Sequence, residues 1–143
     1  KSQPIASSVE RLRWLKKGLA GEKWAKVSSW EIARLGTSYS IDTASHWRKH
    51  NPNAKLFWIM GSDQWKVLPQ WKEFKKLARW VHFLVFPRPI PPKSRNGIRM
   101  SLLPVRFDLS STEIRHRLKQ GLSIRGMVLP QLEKVVQESR SYR

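Results

Sequence analysis

An α/β fold with a parallel sheet is predicted by three features of the chain. Two apolar runs, Leu56-Phe57-Trp58-Ile59-Met60 and Val81 to Phe86, have the length and character of strands covered on both faces. Between them lies a helical pattern through Trp71-Lys72-Glu73-Phe74-Lys75-Lys76-Leu77. Turn residues follow each run at once: Gly61-Ser62-Asp63 after the first and Pro87-Arg88-Pro89 after the second. Strand, helix and strand at this spacing form a βαβ unit, whose strands run parallel. Ligands of such open sheets sit beyond the C-terminal ends of the strands. Asp63, Arg88 and the hydroxyl cluster beginning at Ser110 are expected at those ends.

The remaining elements follow from local signals. Ser7-Ser8-Val9-Glu10 starts a helix with Val9, Leu12, Leu15 and Leu19 near one face, ended by Gly18 and Gly21. Ala25 to Ser28 has room for a short strand. Ser40 to His50 reads as a helix, with Asp42 in its first turn and Asn51-Pro52 beyond its end. Residues 87 to 97 hold four prolines and a glycine and read as a loop. Leu103 to Phe107 is expected to form a last strand before a helix that opens at Ser110. Gly121 suits the position after that helix, and Pro130 suits the first turn of a terminal one. The expectation is one domain over residues 1–143, long enough for a core.

Composition limits the chemistry. There is no cysteine, which excludes disulfides, thiolate nucleophiles and cysteine-held metals. No apolar run reaches membrane-spanning length, and the expectation is a cytoplasmic protein with no membrane partner. The net charge of +18 predicts attraction to polyanions, although a solvated basic surface would carry the same charge. His46 and His50 are four apart on a helix, but no Asp or Glu completes a metal site at helical spacing, so no metal-binding residue is expected. His82 and His116 have no neighbour that suggests nucleophilic catalysis.

Individual residues at the strand ends fit nucleotide chemistry. Ser110 and Glu113 have the spacing of a capping box, which fixes a helix start. That start exposes backbone N–H groups, and Ser111, Thr112 and Arg115 in its first turn make it a phosphate cradle. Most Ser-x-x-Glu matches are only caps. The Asp63 carboxylate can accept both hydroxyls of a ribose, with Gly61 allowing close approach; alternatively it caps the next helix. The Trp71 indole can stack on a flat heteroaromatic ring or pack in the core, and Trp58 is a core residue. Arg88 can meet a phosphate or remain an exposed loop charge.

Taken in order, these blocks resemble bacterial nicotinate-nucleotide adenylyltransferases. Glu31-x-x-Arg34-x-Gly36-Thr37-Ser38-Tyr39-Ser40-Ile41-Asp42-Thr43 is similar to the family's E-x-x-R-x-G-x-S-Y-T-x-D-T block. Gly61-Ser62-Asp63 with Trp71 resembles its G-A-D…W block, and Pro87-Arg88-Pro89 resembles its R-P-G. Ser110-Ser111-Thr112-Glu113-Ile114-Arg115 matches S-S-T-x-I-R. Val128-Leu129-Pro130 and Ser141-Tyr142-Arg143 resemble the family's L-V-P and its C-terminal tyrosine.

The resemblance implies a Rossmann-like nucleotidyltransferase fold with a parallel sheet. It also implies transfer of the AMP part of ATP to nicotinate mononucleotide in NAD biosynthesis, with Mg²⁺ bridging the phosphates. By position it assigns Ser40, Thr43, Trp71, Lys72 and Arg88 to the mononucleotide. It assigns Gly61, Asp63, Ser110, Ser111, Thr112, Ile114 and Arg115 to ATP. The family's H-x-G-H motif, which supplies phosphate-contacting histidines, does not occur in these 143 residues. The first strand-loop-helix-strand is therefore expected to be missing, and the chain alone is expected to have little activity. Ser40 and Ser62 stand where the family usually has Thr and Ala. The competing expectation is a non-catalytic basic module that binds RNA or a nucleotide. It explains the charge, but it needs neither Asp63 nor a stacking Trp71.

Overall fold

The computed structural model describes residues 5–34, 36–87, 92–105 and 109–142. In chain order the elements are α1 (Ser8–Gly18), α2 (Trp30–Ala33), α3 (Ser40–His50), β1 (Leu56–Gly61), α4 (Ser62–Val67), a 3₁₀ turn (Leu68–Gln70), α5 (Phe74–Trp80), β2 (Val81–Phe86), β3 (Met100–Leu102), α6 (Ser111–Lys119) and α7 (Pro130–Glu138). The chain divides into two compact units, one of Lys1–Leu35 with Leu109–Arg143 and one of Gly36–Asp108.

The second unit holds the sheet. Its strand order is β1-β2-β3, and both pairings are parallel. The register sets Leu56 opposite Val81, Trp58 opposite Phe83 and Met60 opposite Val85, so these six side chains share one face. On that face Val81, Phe83, Val85 and Met60 are buried with Ile41 and Ala44 of α3, Leu77 and Ala78 of α5, and Trp65 and Leu68 between β1 and α5. The opposite face departs from the expectation of strands covered on both sides. Phe57 is 55% exposed and Ile59 63% exposed. Within this unit the described helices α3 and α5 contribute to one core on one face, and β1 is an edge strand.

Other differences are local. Helix α5 begins at Phe74 rather than Trp71, because the chain first makes a 3₁₀ turn containing Pro69. Glu73, the residue before the helix, is left-handed with φ 50°. A short helix, α4, intervenes directly after β1. The third strand is Met100–Leu102, earlier than expected; Leu103 still donates its N–H to the Val85 carbonyl at 2.9 Å, while residues 106 and 107 of the expected strand lie outside the described residues. Residues 25–28 form no strand.

The first unit packs α1 against α7 and encloses Ile114, Ile124 and Val136. Ser7 and Glu10 form a full reciprocal capping box at the start of α1. Val9 and Leu15 were expected on the packed face, yet both are exposed. The close approach to α7 is made by Gly18, where a Cβ would stand 3.1 Å from Leu132 Cδ1; its carbonyl also accepts from Gln131 Nε2 at 2.8 Å. Trp14 packs edge-on against Tyr142, with ring centres 5.2 Å apart. Gly121 follows α6 with φ 67°, its N–H bonding to the Leu118 carbonyl and that of Leu122 to the Arg117 carbonyl, a Schellman ending. Pro130 occupies the first turn of α7, as expected.

The left-handed Glu73 yields a stability prediction. A side chain in this region costs about 1–2 kcal/mol, and the exposed Glu73–Lys76 ion pair returns less than about 1 kcal/mol. Glu73→Gly is expected to leave thermal stability unchanged or raise it, and Glu73→Val to lower it by about 1–2 kcal/mol. Equal losses for both in thermal unfolding would contradict this account of the turn.

Candidate nucleotide site

Several expected site residues sit where β1 delivers the chain, at the C-terminal end of the sheet. Gly61 is the last residue of β1 and the N-cap of α4. Ser62 is buried under the helix, and Asp63 is exposed in its first turn, with Gln64 Nε2 at 3.4 Å from its Oδ2. The alternative expectation that Asp63 caps this helix does not hold: the N-cap is Gly61, no side chain caps the helix, and Asp63 lies within its first turn.

Trp71 ends the 3₁₀ turn and is half-buried. Its ring meets Trp58 edge-on at 6.3 Å, which ties the indole to the core through β1. The next residue reaches elsewhere: Lys72 Nζ lies 4.3 Å from the centre of the Tyr39 ring. Tyr39 is the N-cap of α3, so this contact brings Trp71 and Lys72 to the helix that opens with Ser40 and carries Thr43 one turn on. Tyr39 offers no side-chain oxygen to that first turn. The start of α3, where Ser40 is the first helical residue, thus adjoins the Tyr39 ring that Lys72 covers, and a helix start favours an anion. Sequence reading placed Tyr39 only inside a motif; its contact joins residues 33 positions apart and leaves no periodic trace.

A second residue that sequence reading missed is Arg95. Its Nη2 donates to the carbonyls of Trp65 at 3.3 Å and Lys66 at 3.1 Å, closing the end of α4. Trp65 Nε1 in turn donates to the Lys93 carbonyl at 2.8 Å. This double clasp anchors residues 93–95 to the helix that bears Asp63. Arg88, expected to meet a phosphate, lies outside the described residues.

The hydroxyl cluster belongs to the first unit. Ser110 caps α6, its Oγ accepting from the Glu113 N–H at 3.1 Å. Ser111 and Thr112 are exposed, and Arg115 Nη2 donates to Thr112 Oγ1 at 3.2 Å. Thr112 and Arg115 line a cavity of about 280 Å³ together with Ile5, His116, Lys119 and Ser141. The Ile114 side chain points instead into the core with Ile124 and Val136, so it anchors the helix that carries the cradle. The Arg115 guanidinium also rests 5.5 Å from the Tyr142 ring centre.

Behind this cradle is a carboxylate that the sequence reading took only as a helix cap. Glu10 accepts from Ser141 Oγ at 2.8 Å, Ser139 Oγ at 3.1 Å and the Ser7 N–H at 3.2 Å. The Ser141 bond, followed by the Ser7 N–H, holds its carboxyl below the usual carboxylate range against a smaller opposing effect of burial.

The expected absence of a protein-held metal can be set against the donors. Among the described residues no group of three or more His, Asp or Glu side chains could hold a metal ion. His46 and His50 stack at 4.2 Å, with His50 Nδ1 at 2.8 Å from the His46 carbonyl, and no carboxylate joins them in a cluster. Among the described residues no helix is long and apolar enough to cross a membrane.

A parallel sheet with helices packed on it defines an α/β protein, and residues 1–117 match the cytidylyltransferase-like family. A probable nicotinate-nucleotide adenylyltransferase of Methylacidiphilum infernorum is 36% identical over 144 residues, covering 99% of this chain and 71% of the relative. One of Opitutus terrae is 34% identical, covering 100% of this chain and 76% of the relative. The chain belongs to the nicotinate-nucleotide adenylyltransferase family within the cytidylyltransferase-like proteins. Its fold is that of the Plasmodium falciparum nicotinic acid mononucleotide adenylyltransferase solved in complex with NaAD, at a TM-score of 0.56 and 19% identity. That match covers 73% of this chain, which spans 58% of the length of the solved one.

The Glu10 network makes a pH prediction. Its folded value lies below the unfolded one, so the stability it contributes is present above the unfolded carboxylate range and is lost as pH falls through the lowered value. Between about pH 5 and about pH 3, the thermal midpoint of the parent is expected to fall more steeply than that of Glu10→Gln. Parallel curves would remove Glu10 from the account.

Proposed function

We propose that this chain binds nicotinate mononucleotide and ATP for adenylyl transfer, the activity by which its relatives are named. The observation that supports the reading is the Lys72–Tyr39 contact, which ties the residue after Trp71 to the N-cap of the helix that opens with Ser40. A nicotinate ring needs a face to stack on and donors for its carboxylate.

In this reading Trp71 stacks on the pyridine ring, held in orientation by Trp58. Ser40 and the Lys72 N–H receive the carboxylate, with Thr43 beside them, and Arg88 faces the mononucleotide end. Asp63 accepts ribose hydroxyls while Gly61 lets the sugar approach. Ser110, Ser111, Thr112 and Arg115 bind the ATP phosphates, and Ile114 keeps that helix in place. A phosphate oxygen of the mononucleotide attacks the α-phosphorus of ATP, the new P–O bond forms as the bond to the β-phosphate oxygen breaks, and pyrophosphate leaves. The protein contributes positioning and donors to the phosphoryl oxygens, with no covalent intermediate. Mg²⁺ is read as travelling with the triphosphate, whose oxygens would supply most of its ligands.

The competing reading, a basic RNA-binding module, explains the charge but not this contact. Calorimetry separates them: nicotinate mononucleotide is expected to bind, and Trp71→Ala to weaken it about ten- to hundredfold, since stacking is worth about 1–3 kcal/mol. Binding of a mixed-sequence oligonucleotide alone, abolished by salt, would overturn the proposal in favour of the rival.

A further inference from the structure

The N-terminal end of the sheet carries a second concentration of chemistry, at the opposite end of β1 and β2 from Gly61 and Phe86. Because the strands are parallel, each is entered from this end, and each entry brings a cation. Helix α3 ends with Arg48, Lys49 and His50 before β1; Lys55 immediately precedes it. Helix α5 ends with Arg79 and Trp80 before β2, and Arg99 immediately precedes β3. The carboxylates of α3 and of the turn before α5, Asp42 and Glu73, stand at the far ends of their helices.

The result is a cavity of about 530 Å³ lined by Arg48, Lys55, Arg79 and Arg99 together with His82 and the aromatic rings of Phe57 and Trp80; among the described residues no acidic side chain lines it. Part of this charge serves the fold. Arg99 Nη2 donates to the Arg79 carbonyl at 2.9 Å, closing the end of α5. Arg48 is placed differently: its guanidinium lies over the Trp80 ring, 4.8 Å from the ring centre, at the cavity wall. Lys55 completes that side. His82 is oriented by Ser101 Oγ at 2.9 Å and by the Phe57 ring at 5.6 Å. Oriented guanidinium groups and an imidazole in a concavity of small-molecule size suit several phosphate groups at once, and a single carboxylate would leave most of the donors unused.

We propose that this cavity is a second anion site, separate from the nucleotide site, that takes a linear di- or triphosphate. Arg48 and Lys55 are its principal contacts, and Arg79 and Arg99 supply the surrounding field. This assigns a task to part of the +18 charge, which two nucleotide substrates alone do not require.

The test is calorimetry on the full chain with inorganic pyrophosphate, tripolyphosphate and ATP, comparing the parent with Arg48→Gln/Lys55→Gln. A charge-matched control, Lys16→Gln/Lys75→Gln, and Arg115→Gln in the candidate nucleotide site accompany it. Tripolyphosphate binding is expected to weaken about tenfold or more when Arg48→Gln/Lys55→Gln is added to the Arg115→Gln background, which lacks the guanidinium of the candidate nucleotide site, and to change less than about twofold in the charge-matched control. In the Arg115→Gln background, tighter binding of ATP than of tripolyphosphate assigns the triphosphate to a nucleotide, and weaker binding assigns it to free polyphosphate. Circular dichroism of each variant checks folding, and nicotinate mononucleotide affinity is expected to survive in the Arg48/Lys55 variant. Unchanged tripolyphosphate affinity when the pair is added to the Arg115→Gln background, equal loss in the charge-matched control, or binding only of a single-stranded oligonucleotide would overturn the proposal.

Discussion

Parallel pairing of β1 with β2 and of β2 with β3 makes the two ends of this sheet chemically different, and most of the second unit follows from that. Every strand is entered from a basic end and, where the next residues are described, left toward loops and helix starts. Gly61 and Asp63 lie at one end because β1 runs toward it; Arg48, Lys55, Arg79 and Arg99 lie at the other because the chain re-enters there. An antiparallel arrangement would have mixed the two sets. The pairing is held by the buried face, where Phe83 and Val85 of the central strand are fully enclosed. Substitutions that weaken that face would disturb both ends together.

A long-range contact is set on this frame in the second unit. The 3₁₀ turn and the left-handed Glu73 project Trp71 and Lys72 away from the helix that sequence periodicity had extended through them. Had α5 begun at Trp71, those two side chains would have followed helical spacing. The break frees Lys72 to meet Tyr39 while Trp71 keeps its edge on Trp58. In the first unit the corresponding organiser is Glu10, which caps its own helix and gathers Ser139 and Ser141 from the C-terminal segment. Ser141 lines the same cavity as Thr112 and Arg115, so one carboxylate links the start of α1, residues 139–141 and the first turns of α6.

Much of this was legible in the residues. Strands β1 and β2, helix α3 with its bounds, the cap at Ser110, the turn at Gly121 and Pro130 at the start of α7 all follow from short-range rules of apolar runs, caps and breakers. The sequence also marked Asp63, Trp71 and the Ser110 cluster as candidates through motif order. What it could not show is set by distance along the chain. Arg95 closes α4 from about thirty residues away, and Tyr39 meets Lys72 across α3, β1, α4 and the 3₁₀ turn. The exposed Phe57 and Ile59 were misread because an uninterrupted apolar run carries no record of which face is covered. The basic end escaped notice for a similar reason: Arg48, Lys55, Arg79 and Arg99 look like scattered surface charges until parallel topology collects them.

Amide chemical-shift mapping of the full chain during titration with nicotinate mononucleotide tests the account most directly. The predicted result is that perturbations centre on Ser40 to Thr43, Gly61 to Asp63 and Trp71 to Lys72, with Leu56 and Val81 at the other strand ends unmoved. Perturbations centred on Lys55, Leu56 and His82, with the 61–63 and 71–72 amides silent, would contradict it.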